Sequence, residues 1–178
     1  MSSLGVVLEQ DRGSLPFALV HGEPLVACAA WALGEAGVML VDIGTPWSSL
    51  VASGEPVVLH DALCPLTPPA FLAGCVAAAA GGEVVVAVRP VTDTVKEYDG
   101  EQVGATHDRE ELMSVTSPIV LPATVVAALD ELATDDLPDF VDQLAQRFPV
   151  RYLPAPPLGQ RIVDEDDLEV LGALSSTE

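Results

Sequence analysis

The sequence predicts an α/β fold: a mixed, mostly parallel sheet with helices on both faces. Two observations carry this. Apolar segments of strand length alternate with helical segments through the first half of the chain, as in parallel strand–helix–strand units. The strand at Glu83–Val88 is apolar without alternation, as expected when both faces of a sheet are covered. At 178 residues the chain reads as one domain, residues 1–178, long enough to bury a substantial core. Apolar residues make up 49% and aromatics only 4%, so that core is built from Val, Leu and Ala.

The elements follow in order. Leu4–Leu8 is a short buried strand. Pro24–Gly37 is a helix, with Pro24 near its first turn and Gly37 beyond its end. Val38–Val41 and Pro56–His60 are strands, the latter stopping at Asp61. Thr67-Pro68-Pro69 opens a helix that runs to Ala80 and closes at Gly81-Gly82. After Val88 the pattern changes. Thr92–Tyr98 and Glu101–Thr106 are polar, strand-like and joined by Asp99-Gly100, a favourable hairpin turn. A polar hairpin leaving an apolar sheet is an arm at about residues 92–106, and such an arm needs a partner to cover it. Leu112–Val115 returns toward the sheet; Pro122–Ala133 and Asp135–Phe148 are helical; Val150–Leu153 is a strand. Asp164 is placed to cap a helix over Glu165–Leu174, with acids filling its first turn.

Charge restricts the partners. The formal net charge is −20, from 27 acidic against 7 basic residues. Such a surface repels phosphate backbones and argues against nucleic-acid binding. It also repels a nucleoside triphosphate unless one pocket gathers the cations, which are Arg12, Arg89, Lys96, Arg109, Arg147, Arg151 and Arg161. Cys28, Cys64 and Cys75 lack CxxC spacing, so neither a disulfide framework nor a structural zinc is expected. The N-terminal MSSLGVVLEQD has no basic region of a signal peptide, and the apolar run at Phe71–Ala80 is too short to span a bilayer. The expectation is a cytoplasmic protein with reduced cysteines and no membrane contact.

Several segments then fall into a known order. They are Leu59-His60-Asp61-Ala62-Leu63-Cys64-Pro65, Pro90–Lys96, Thr106–Arg109, Val115–Ile119, and Gly159–Val163 followed by Glu165-Asp166-Asp167-Leu168. Together they resemble the 2-C-methyl-D-erythritol 4-phosphate cytidylyltransferase family, from about Pro16 onward. The resemblance implies a Rossmann-like, glycosyltransferase-A-like nucleotidyltransferase fold. It also implies a hairpin arm that clasps a second subunit, CTP as nucleotide, and a place in isoprenoid precursor synthesis. By that resemblance Asp61 coordinates magnesium, while Thr94, Arg109 and Ser117 contact the methylerythritol phosphate. Arg12 and Arg161 stand as the catalytic cations.

The departures cluster on one side. The family opens with a glycine-rich loop that carries an arginine and is followed by a lysine. Here the first strand runs into Glu9-Gln10-Asp11-Arg12-Gly13-Ser14, with one glycine and two acids. Phe17 takes the lysine position, Cys64 the arginine of the His-Asp motif, and Arg161 a late lysine. Cytidylyl transfer depends on positioning and charge stabilisation, so these losses strike at catalysis. Three readings follow. The first is a divergent homologue with weak or no transfer, a disfavoured CTP site, and retained binding of a small phosphorylated polyol. The second is an active, magnesium- and CTP-dependent enzyme with a rebuilt loop. The third is a structural or regulatory dimer partner, of itself or of a full-length homologue.

Overall fold

The computed structural model describes residues 2–42, 44–91, 96–98, 103–106, 113–132, 134 and 136–176. The strands are β1 (Leu4–Leu8), β2 (Leu19–Val20), β3 (Glu23–Pro24), β4 (Met39–Leu40), β5 (Val57–Asp61), β6 (Val84–Pro90), β7 (Lys96–Tyr98), β8 (Val103–Thr106), β9 (Met113–Leu121) and β10 (Val150–Pro154). The helices are α1 (Leu25–Glu35), α2 (Trp47–Ser53), α3 (Pro69–Ala79), α4 (Ala123–Ala128), α5 (Leu137–Arg147) and α6 (Glu165–Ser175).

Six strands form one sheet in the order β10-β6-β9-β5-β1-β4. β1 is parallel to β4 and β5, and β10 is parallel to β6. Only β9, between β5 and β6, runs against its neighbours. The sheet is therefore mixed and mostly parallel, as expected. Every residue of β5 is buried, as are the first five of β6, because helices cover both faces. Leu33 of α1 and Leu72 and Cys75 of α3 pack over Val58, Val85 and Val120. On the other face, Leu50 of α2, Val125 of α4 and Phe140 and Leu144 of α5 pack over Leu59, Val86 and Ile119. A smaller apolar group joins β2 and α6 to the sheet's carboxyl end through Val20, Leu25, Leu63, Ile162 and Leu171.

Local sequence accounts for most helix ends. Gly37 follows α1 at φ 78, and its N–H donates to the Gly34 carbonyl. The Val38 N–H reaches back to Leu33, completing a Schellman stop. Asp164 caps α6 by accepting the Asp167 N–H at 2.9 Å. Several elements differ from expectation, the short strands β2 and β3 among them. α2 was not anticipated at all. α4 is shorter than Pro122–Ala133, because Leu129 turns extended and side chains take the carbonyls that a longer helix would use. The Trp47 indole N–H donates to the Leu129 carbonyl at 2.8 Å, and Arg147 donates to Ala128 at 2.8 Å.

β7 and β8 pair antiparallel as a separate two-stranded sheet, Lys96 opposite Thr106 and Tyr98 opposite Val103. This is the expected hairpin; its turn at Asp99-Gly100 lies outside the described residues. Among the described residues no helix is long and apolar enough to cross a membrane.

β9 is longer than the short return at Leu112–Val115. It continues through Pro118 to Leu121 because a bulge absorbs the proline. Val86 faces Ile119 and Val88 faces Val115, so Thr116, Ser117 and Pro118 lie opposite Ala87 alone. On the β5 side the ladder to β9 ends at Leu59–Ile119. The Asp61 N–H finds the Ser117 hydroxyl instead, at 2.8 Å. The same oxygen lies 2.6 Å from His60 Nδ1. His60 is wholly buried, and its Nε2 has no hydrogen-bond partner among the described residues.

Burial lowers the His60 imidazole from its ordinary value of 6.5 to about 4, with Asp61 pulling the other way. Above pH 6.5 the ring is neutral in both folded and unfolded chains, and its full contribution to stability is present. As pH falls toward 4, the unfolded chain takes up a proton that the folded chain refuses. Stability then declines, by about 3 kcal/mol over the whole window. Urea denaturation between about pH 7 and pH 5 should show a steeper loss for wild type than for His60→Gln. Identical slopes would mean that His60 is not held neutral.

Candidate functional site

The carboxyl end of β5 places Asp61 at the centre of a charged cluster. Its carboxylate is completely buried. Oδ1 accepts the Arg12 Nε–H at 2.8 Å and the Leu63 backbone N–H at 2.9 Å. Oδ2 accepts the Arg161 Nε–H at 3.2 Å. Arg12 arrives on the segment after β1, whose last residue, Leu8, lies beside Asp61 in the parallel ladder. That segment bends sharply, with Asp11 at φ 60 and Gly13 at φ 59. Arg12 is also tied to its own segment, since Nη1 donates to the Gln10 carbonyl. Arg161 follows a short 3-10 turn at Pro157–Gly159.

Around this cluster most polar groups are satisfied by the protein, His60 Nε2 being the exception among the described residues. Ser117 holds the backbone of Asp61 and meets His60. Thr116 donates its hydroxyl to the Gly159 carbonyl at 2.8 Å and sits 3.3 Å from Cys64 Sγ. Burial first, and then the nearby Asp61 charge, push the Cys64 thiol up to about 12. It is therefore a neutral thiol at the position where the resembled family carries an arginine.

A cleft of about 710 Å³ opens beside Arg12, bounded by the carboxyl ends of β1 and β4 and by α1 and α2. Glu9, Asp11 and Asp42 line it along with Arg12, and Trp47 and Leu132 supply apolar wall. This is the edge of an open α/β sheet where ligands commonly bind. Here, however, the charge lining the cleft is mainly negative.

The sequence reading named Arg12, Asp61, Ser117 and Arg161 separately, and the structure brings all of these together. Arg161 pairs with Asp61 across 100 residues of sequence. Thr94 and Arg109 lie outside the described residues. Strand alternation turns His60 and Asp61 to opposite faces, so the two are not expected to form a dyad. That holds toward Asp61, but a partner arrives from β9 instead. The remaining described arginines are also engaged. Arg89 donates to the Ala155 and Pro156 carbonyls, Arg147 to Ala128, and Arg151 pairs with Glu83.

Magnesium requires near-octahedral oxygen coordination, with carboxylates free to approach it. Both Asp61 oxygens already receive guanidinium N–H groups, and Oδ1 receives a backbone N–H as well. Among the described residues, no three His, Cys, Asp or Glu side chains converge on a metal position. In this arrangement the donor set does not fit the ion.

Comparison with known proteins places the fold and the family. The 2-C-methyl-D-erythritol 4-phosphate cytidylyltransferase of Rhodococcus opacus is 38% identical over 127 residues, covering 67% of this chain and 54% of the relative. A bifunctional IspD/IspF enzyme of Solidesulfovibrio magneticus is 36% identical over 122 residues, covering 65% of this chain and 30% of the relative. The chain thus spans about half the length, or less, of these curated relatives. The crystal structure of 2-C-methyl-D-erythritol 4-phosphate cytidylyltransferase from Thermus thermophilus matches with a TM-score of 0.68 and 22% identity. That match covers 99% of this chain and 98% of the other, and at such identity it speaks for the fold. Residues 44–143, more than half of the chain, match the IspD family model, described as 2-C-methyl-D-erythritol 4-phosphate cytidylyltransferase, and the chain belongs to that family.

Proposed function

We propose that this chain is a divergent family member with weak or no cytidylyl transfer, retaining a site for a small phosphorylated polyol. The observation that carries the proposal is the pairing of buried Asp61 with both Arg12 and Arg161. In the reading by resemblance, these cations would meet phosphates and this carboxylate would meet magnesium. Here both cations are engaged by the one carboxylate. Phosphoryl-type transfer depends on positioned charge. Removing one preorganised donor costs roughly 2.7–4 kcal/mol of barrier lowering. The loop contributes Glu9 and Asp11 to the cleft, Phe17 is exposed at the lysine position, and Cys64 is neutral.

The acceptor side is where the proposal leaves a ligand. Thr94 and Arg109 are the residues proposed to hold its phosphate, without magnesium. Arg12 and Arg161 would act on a nucleotide only after leaving Asp61, and Ser117 would act through the backbone of Asp61 rather than on a ligand directly. The proposal includes a cytoplasmic location; among the described residues no helix is long and apolar enough to cross a membrane.

A second reading, a dimer partner, is favoured by one observation. β7 and β8 hydrogen-bond as strands only to each other, among the described residues. A lone two-stranded hairpin is marginally stable in water. A second subunit covering the arm would supply the missing contacts.

Three experiments address these readings. With CTP, Mg²⁺ and methylerythritol phosphate, pyrophosphate release should fall far below the roughly 1–1000 s⁻¹ of ordinary enzymes. Turnover within that range would refute the degenerate reading. Calorimetric titration with methylerythritol phosphate should show weak, magnesium-independent binding, and Arg109→Ala should weaken it by about 1.5–3 kcal/mol. Absence of heat in both proteins would remove the polyol-phosphate site. Light scattering at micromolar concentration should show a dimer that deletion of residues 92–106 converts to monomer; a monomeric wild type would end the dimer reading.

A further inference from the structure

Asp61 carries an asymmetric pair of cations. The Arg12 side chain is 5% exposed, whereas that of Arg161 is 37% exposed. Arg161 therefore has room to swing into solvent or toward a ligand. Arg12 does not: its Nε is bonded to Oδ1 and its Nη1 to the Gln10 carbonyl of its own segment. Oδ1 has a second donor, the Leu63 N–H, so both of its acceptor positions are filled.

We propose that Arg12 is a resident cation fixed where a divalent metal ion would have to sit, closing the Asp61 site to metal in the wild-type chain. The inference rests on the reading above and adds the residue that enforces it. Charge points the same way. One carboxylate faces two guanidinium groups, so the cluster is already positive before any ion arrives. Departure of Arg161 would expose Oδ2 but leave Arg12 beside it, and the ion would meet like charge in a poorly screened site. Salt cannot readily exchange with Arg12, because the pair is buried and the guanidinium is a directional, tethered donor.

The ligand specificity that follows is concrete. Of the two cations on Asp61, the more exposed Arg161 is the one free to turn to an anion, which would bind without a metal. An anion that depends on a bridging metal is rejected, even though the cleft beside Arg12 has a volume of about 710 Å³.

Mn²⁺ alone is the probe. In the ¹⁵N-labelled wild-type chain, paramagnetic Mn²⁺ should leave the Asp61 and Leu63 amide signals unbroadened at concentrations that broaden surface carboxylate neighbours. Electron paramagnetic titration of Arg12→Gln should reveal an added Mn²⁺ site on the order of tenfold tighter than any in wild type, about 1.4 kcal/mol. Arg12→Gln/Asp61→Asn should lose that site, and Arg12→Lys, which keeps the charge, should not gain it. Broadening of the Asp61 and Leu63 amides in the wild type would overturn the proposal without recourse to any variant. So would a folded Arg12→Gln that gains nothing. Magnesium-dependent turnover by the wild type would instead strike the proposed loss of activity. The two failures are therefore distinguishable.

Discussion

Asp61 has no access to water, and a charge in that position must be matched by charge and hydrogen bonds nearby. The match recruits distant parts of the chain: Arg12 from the segment after β1, Arg161 from the approach to α6, and Ser117 from β9. Each contact draws its segment over the carboxyl end of β5. The Ile162 N–H then bonds to the Leu63 carbonyl, and Ile162 joins the apolar group that includes Val20 and Leu171. One buried carboxylate thus organises the end of the sheet where a ligand would enter. Removing either arginine would leave a buried charge short of a partner, and Arg12, the more deeply buried of the two, is the more firmly held.

Much of the fold was legible because its signals are local. Gly37, Asp164 and the apolar run at Val84–Val88 each act within a few residues, through left-handed backbone freedom, N-capping and burial on two faces. The missed elements depend on contacts from elsewhere. The sequence suggested a return to the sheet only at Leu112–Val115, but the bulge opposite Ala87 lets β9 run on past Pro118. α2 has only seven residues and a polar Ser48-Ser49 pair near its start, so periodicity had little to register. Pro46 before it and Gly54 after it were the available marks.

The site shows the same division. Arg12, Asp61, Ser117 and Arg161 could be singled out one at a time, through resemblance and chain position. That the arginines close on the aspartate could not, because no spacing in the sequence encodes where the segment after β1 folds back. His60 illustrates the point. Strand alternation turns it away from Asp61 but says nothing of a hydroxyl delivered by a bulge 57 residues later. A shared fold also leaves the chemistry open, since the same sheet edge can hold a ligand or a self-satisfied ion cluster.

The position of β9 has a consequence for how the chain is made. β5 and β6 are both antiparallel to β9, hence parallel to each other, and they stand apart only because β9 is wedged between them. β9 is also the last of the three to leave the ribosome. A nascent chain that has emerged only to Pro90 presents two apolar strands with open, facing edges and matching direction. Those edges can zip together directly, giving a sheet one strand too narrow, or capture a strand from another chain. Completion of the sheet thus waits on Met113–Leu121, the strand that satisfies both open edges at once.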